Sequence, residues 1–370
     1  MQGRSGGRNG GRRLNVGRVA IAAVILFVLI GGAAALIFGL RGCRTAAVKR
    51  SLPFRGDRDY CYTGDGFLYL DGRVLHFYSL NDENSGFSLP VESTASGVIG
   101  TDKLKVVYSN SSLQVINTPF DNAITGSLKK IACGSKYVGV YTENDDGTYS
   151  LRVFNSAGNQ CYRTEYTDTM LLDFGFEGGD SSVLWMSELV LTGNAVTTTV
   201  TTYDLNRESI TGVISIQGQT VKRIFMTKKS IFAFGTDSVI RFDRTTNEES
   251  YRIQCRGYDC VSSSVSGGRL YLLLERTAAE DMPLSVLSLR EDASADESVT
   301  AVTDVAGCLG CFLLNGKAVV VRQDAITVYG LKGDKERSIP IEGGATGCAK
   351  LDEESLLILN ASEATLYTVK

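Results

Sequence analysis

Residues 137–163 read YVGVYTENDDGTYSLRVFNSAGNQCYR. A run rich in β-branched and aromatic residues meets a turn, Asn144-Asp145-Asp146-Gly147, and a second run of the same kind follows. Asp-Gly between two such runs is hairpin chemistry, since its backbone matches the right-handed twist of the flanking strands. The second run carries Phe154, passes through the polar turn NSAGNQ and resumes at Tyr162-Arg163. Residues 230–252, SIFAFGTDSVIRFDRTTNEESYR, repeat this order, with Phe242 leading through DRTTNEES to Tyr251-Arg252.

Working outward from these two units, the same plan recurs along the chain. Its anchor residues are Tyr78 in LHFYSL, Ile116 in LQVINT, Phe154 in LRVFNS and Tyr203 in TTYDL. Phe242 in IRFDR, Leu287 in LSVLSL, Tyr329 in ITVYGL and Tyr367 in ATLYTV continue the series. Successive gaps are 38, 38, 49, 39, 45, 42 and 38 residues. A mean of about 41 residues is the period of a four-stranded propeller blade. The one long gap holds SSVLWMSELVLTGNAVTTTVTTYDL, whose Thr-rich alternation predicts a longer hairpin rather than an extra domain. No extended 3.6-residue periodicity appears after residue 58, so the expectation is an all-β propeller over residues 59–370. Eight blades is the count, with seven the alternative; a β-sandwich with evenly spaced strands is the competing architecture. The last unit ends directly after its anchor strand, and an open ring would leave an unpaired edge. The segment Ser51 to Tyr62 is the expected donor of the closing strand.

The N-terminal region has a different character. Val19 to Leu40 is an uncharged run, VAIAAVILFVLIGGAAALIFGL, of 22 residues. As a helix it would reach about 33 Å, enough to span a hydrocarbon core of about 30 Å. It is too long for a cleaved signal peptide, and Leu40-Arg41-Gly42 is a poor cleavage site. A single-pass transmembrane helix is therefore expected, between a basic, Gly-rich tail at 1–18 and a basic linker at 41–58. Residues 1–58 contain eleven Lys/Arg and one acid, Asp57, leaving 27 basic and 40 acidic residues beyond them. Basic residues flank the helix on both sides, so the positive-inside count is nearly tied. A first hydrophobic segment usually acts as a signal anchor, which predicts a cytoplasmic tail lying near anionic lipid and an extracytoplasmic domain. Leu40-Arg41-Gly42-Cys43 is similar to a bacterial lipoprotein box, but Arg41 departs from it. A juxtamembrane Cys43, open to palmitoylation, is the plainer reading.

Taken together, the anchor, the repeats and turns such as RVFNSAGN, which is similar to a YD-x-x-G blade turn, carry a family resemblance. The chain resembles bacterial single-pass, membrane-anchored β-propeller proteins with quinoprotein-like and WD40-like repeats. The resemblance spans the anchor and residues 59–370 and implies no particular activity. The Trp-Asp and Gly-His signatures of WD40 repeats are absent, and Trp185 is the only tryptophan. Pyrroloquinoline quinone binding is therefore not implied, and no other cofactor motif is present.

The chemistry-bearing residues point the same way. An acidic domain lacks the clustered Lys/Arg that phosphate binding needs, which argues against nucleic acid. His76 is the only histidine, so an imidazole metal site or a Ser/His/Asp triad has little to be built from. Cys308-x-x-Cys311 with Cys255 and Cys260 could be read as a four-thiolate zinc site. Yet Cys61, Cys133, Cys260, Cys308 and Cys348 each precede a unit's first assigned strand, where a propeller is crowded round its axis. Packing as small apolar residues is the leading reading, with disulfides outside the cell the alternative. The turn from Glu143 to Thr148 lacks the alternating oxygen ligands of a calcium loop. No carboxylate pair stands out for glycoside hydrolysis.

No catalytic or metal-ligating residue is assigned. The expected function is a non-catalytic platform for other envelope proteins in envelope assembly or surface organisation, bound to membrane lipid by its helix. Partner contacts are expected at loop acids, Glu143, Asp145, Asp146, Glu280 and Asp281. The alternatives are an enzyme or ligand sensor using the axial cavity, and a carbohydrate- or peptidoglycan-binding module.

Overall fold

Seven of the eight anchors lie in the third strand of a blade, and the eighth directly follows one. Tyr78 (in Val74–Ser79), Phe154 (Tyr149–Asn155), Tyr203 (Ala195–Asp204), Phe242 (Ser238–Asp243), Leu287 (Leu284–Arg290), Tyr329 (Ala325–Tyr329) and Tyr367 (Ala364–Thr368) lie in third strands of four-stranded antiparallel sheets. Ile116 directly follows the third strand Ser112–Val115. At Phe154, Tyr203, Phe242 and Tyr329 the register to the outer strand shifts, a bulge that bends the strand as it leaves the blade. After Phe154, Tyr203 and Phe242 the next residue then caps the turn: Asn155, Asp204 and Asp243 each accept two backbone N–H bonds through Oδ1. A bulky anchor followed by Asn or Asp is thus a packing residue followed by a turn cap, which is why the pattern is legible as a repeat.

The computed structural model describes residues 48–369, apart from 92–94, 119–120, 179–180, 194, 278–282, 293–297, 303–304, 306 and 331–332. Eight sheets cover residues 60–90, 97–123, 127–166, 170–217, 221–254, 258–302, 310–340 and 347–368, the last completed by Val48–Ser51. They are numbered blades 1 to 8 in that order, and eight is the blade count. The expected helix at 19–40 and its basic tail lie outside the described residues. Among the described residues no helix is long and apolar enough to cross a membrane.

Closure of the ring differs in detail from the expectation. The strand that completes blade 8 is Val48–Ser51, paired from Val48↔Thr368 to Ser51↔Thr365, and it shares only Ser51 with the expected 51–62 segment. Pro53 cannot donate to a ladder, and the pairing ends just before it. Leu52 and Phe54 instead turn into the seam between blades 8 and 1, buried with Phe67, Leu357 and Leu366. Tyr60–Tyr62 is the innermost strand of blade 1.

Elsewhere, too, the core is divided among seams between neighbouring blades. Leu113 and Val115 of blade 2 pack with Val138 and Phe154 of blade 3, and Val200 and Ile214 of blade 4 with Ile231 and Phe242 of blade 5. Each blade is apolar on both faces and cannot stand alone, so stacking supplies the stability. The long gap resolves as a tall hairpin in blade 4, Val183–Thr192 paired with Ala195–Asp204.

Strand alternation defines two faces. Turns between first and second strands share one face, and turns between second and third strands share the other. Val48 pairs with the end of a third strand, so the chain joins the ring on the first face. The turn at 144–148 joins a second strand to a third and lies on the opposite face.

Candidate interaction site

At the top of blade 3, the acidic turn is held by its own side chains. Asp146 Oδ1 accepts from the Thr148 hydroxyl at 2.6 Å and the Thr148 backbone N–H at 2.9 Å. Gly147, at φ +81°, supplies the left-handed turn position. The Thr148 hydroxyl bond, then its N–H, holds the Asp146 carboxyl below the usual carboxylate range. Glu143 accepts from Lys129 Nζ at 2.5 Å, and that bond lowers its proton affinity as well. Asp145 and Asp146 are exposed. Three of the five expected contact residues therefore share one turn. Glu280 and Asp281 lie outside the described residues.

Beside that turn, sequence reading missed a groove of ≈ 550 Å³ between blades 3 and 4. Tyr141, Tyr149, Tyr166, Met170 and Leu171 line it, with Lys129, Asp146 and three threonines among its polar groups. Tyr141 stacks on Tyr149 at 5.5 Å between centroids and meets Tyr166 edge-on at 6.0 Å. Strand pairing assembles this set, because Glu143 opposes Tyr149 and Tyr149 opposes Tyr166. In sequence these tyrosines only read as strand residues. Burial pushes the Glu188 carboxyl above its usual range, against the opposing pull of a hydrogen bond from Tyr166. Among the described residues no Lys or Arg forms an ion pair with Glu188.

A second cavity of ≈ 430 Å³ opens on the other face, lined by the first-to-second turns of blades 1 to 4. Thr63, Thr101, Asp102, Ser135 and Glu177 supply its polar side chains, with Lys103 at its edge. Glu177 is held at both oxygens by Arg244, at 2.5 and 2.6 Å, and accepts a third bond from Ser181. These contacts, Arg244 first, keep its carboxyl below the usual range. A carboxylate so engaged is poorly placed for general acid or base work.

The thiols are placed much as their sequence context suggests. Cys61, Cys133, Cys260, Cys311 and Cys348 lie in innermost strands, with Cys308 just before one. The described cysteines are all free. Burial pushes Cys260 and Cys348 up to about 11 and Cys133 up to about 12. Cys255 and Cys260 pack in the blade 5–6 seam, whereas Cys308 and Cys311 pack in the blade 6–7 seam. The four-thiolate arrangement is not assembled, and no group of three His, Cys, Asp or Glu among the described residues is arranged to hold a metal. His76 stacks on Tyr69 at 4.9 Å and meets Ser88 across the strand pair at 2.8 Å.

The fold defines the class: an eight-bladed propeller with WD40-like and BamB-like structural neighbours. No family model matches the sequence, and no curated protein matches it. The chain is similar in structure to BamB from Moraxella catarrhalis, with TM-score 0.55, 12% identity and coverage of 88% of this chain and 98% of that one. It is similar to the WD40 domain of SCAP from fission yeast, with TM-score 0.55, 10% identity and coverage of 87% and 98%. The computationally designed Ika8 protein gives TM-score 0.51 at 11% identity, with coverage of 86% and 98%. At these identities the likeness is one of fold.

Proposed function

We propose that this chain is a membrane-anchored, non-catalytic interaction platform, its propeller on the outer side of the cytoplasmic membrane and its partners other envelope proteins. Its work on this reading is envelope assembly or surface organisation. One observation carries the reading: the acidic turn and tyrosine groove lie on the face opposite the one where the chain joins the ring. On this reading that face is the one that meets partners. The absence of an evident nucleophile–base pair among the described residues fits a binding role.

Two measurements test this. A membrane-impermeant thiol reagent on intact cells should modify a cysteine introduced at Asp145 and spare one at Asn9; the opposite pattern reverses the orientation. Crosslinked membranes should yield a partner set that is lost when Glu143, Asp145 and Asp146 are changed to Lys. An unchanged set, or hydrolase activity in the purified chain, would overturn the platform reading. The cavity beside the axis supports a second reading, a small-ligand sensor, which ligand-dependent stabilisation lost on Ser135→Trp would favour.

A further inference from the structure

Three features converge at the top of blades 3 and 4. The first is the aromatic floor made by Tyr141, Tyr149 and Tyr166. The second is charge: Asp146 lines the groove, Asp145 and Asp168 are exposed neighbours of lining residues, and Glu143 and Glu188 pair with the lining residues Tyr149 and Leu171, whereas the one cation among the lining residues, Lys129, is already held by Glu143. Thr167 and Thr169 line the groove on either side of Asp168. The third is a strand overhang. The innermost strand of blade 4 begins at Met170, paired with Leu189, while its neighbour runs on to Thr192. Val190–Thr192 therefore has no inner neighbour in the sheet. The exposed side chains of Met170 and Leu191, 61% and 66% accessible, lie at this step.

We infer that this groove binds an extended, basic peptide segment of a partner protein, laid along the Val190–Thr192 edge with its Lys or Arg side chains over the tyrosines. A free strand edge offers N–H and C=O groups spaced for another extended chain, and alternate side chains of that chain then point into the groove. Lys and Arg suit it doubly. Their aliphatic stems lie on apolar surface, and their charged ends meet aromatic faces and carboxylates. Glu188 supplies a partly buried carboxyl beside Tyr166, and among the described residues no Lys or Arg forms an ion pair with it. An acidic peptide would meet like charge at Asp146 and its acidic neighbours.

The inference names the partner chemistry of the proposed platform and so rests on that reading. Its test uses the full-length chain in nanodiscs of zwitterionic lipid, with empty nanodiscs as the blank. The probes are fluorescein-labelled dodecapeptides alternating Lys with Val and Thr, an isomer with Glu for Lys, and a Lys peptide with Pro at alternate positions. Anisotropy should show binding of the first, none of the second, and at least tenfold weaker binding of the third, which cannot pair as a strand. Asp168→Arg combined with Met170→Lys should weaken the first peptide at least tenfold with an unchanged melting temperature, since both side chains are exposed. Absence of binding, equal binding of the Glu peptide, or indifference to the double variant would overturn the inference. The two levels separate cleanly. Loss of crosslinked partners on reversing Glu143, Asp145 and Asp146 without peptide binding keeps the platform and removes the peptide. Peptide binding with an unchanged partner set does the reverse.

Discussion

Arg50 joins the last blade to the first: its Nη1 donates to the carbonyl of Leu80 at 2.6 Å, and its Nε to the Tyr78 hydroxyl at 3.0 Å. Arg50 belongs to the closing strand of blade 8, and Tyr78 is the anchor of blade 1. The ring is thus latched by the strand that arrives first in the sequence and pairs with the last.

That latch predicts a large cost for removing the N-terminal strand. A chain starting at Tyr60 should melt well below one starting at Ala46. It loses Val48–Ser51 from the edge of blade 8 and the buried Leu52 and Phe54 from the seam. Burying two such side chains is worth about 1.5–3 kcal/mol each. Arg50→Ala alone should lower stability by about 1–3 kcal/mol, measured by denaturant unfolding. Equal melting of the two truncations would mean that the ring does not depend on this strand.

The repeated turn cap gives a second expectation. Asp243→Ala removes the acceptor for the Thr245 and Thr246 N–H groups and should cost about 1 kcal/mol. Phe242→Ala, one residue earlier, empties a buried site in the blade 4–5 seam and should cost about 3–5 kcal/mol. Denaturation curves of the pair should keep that order.

Two carboxylates should respond to pH with opposite signs. Glu177 is held below its usual pKa by Arg244, so its contribution is present above the unfolded value, near 4.5, and lost as pH falls through the lower folded value. Glu177→Gln should therefore flatten the acid limb of the stability profile and lower stability at neutral pH. Glu188 is raised by burial. Its favourable contribution is present below the unfolded value and lost as pH rises through the folded one, so Glu188→Gln should stabilise the chain at pH 7 and change little at pH 4. A matching pair of pH–melting profiles would refute this assignment.

Thiol reactivity offers a fourth check. With Cys260 and Cys348 pushed up to about 11, only about one in a thousand of each is thiolate at pH 8, and the nucleophile is the thiolate. Both should react with iodoacetamide far more slowly in the native chain than in denaturant, as read by peptide mass spectrometry. Rapid native labelling of Cys260 would contradict its packing in the seam beside Phe232.

The blade repeat was legible because each blade solves the same local problem with the same residues. Phe154 and Phe242 fill a seam, Asn155 and Asp243 cap the turn that follows, and a β-rich run marks each strand. Such features depend on neighbours in sequence, so spacing reveals the period and points to eight blades over seven, the count the eight sheets then fix. The cysteines in innermost strands and the long blade 4 hairpin were readable for the same reason. Other features depend on residues far apart. Which strand closes the ring was decided by Pro53 ending the ladder and by Leu52 and Phe54 finding burial against Leu357 and Phe67, contacts between opposite ends of the chain. The groove needed Tyr141, Tyr149 and Tyr166 brought together by strand register, and Glu188 delivered to Tyr166 by the packing of blade 4 on blade 3. Local patterning in this protein thus determines the blades, while the surfaces between blades, the tyrosine groove among them, exist only once the ring has formed.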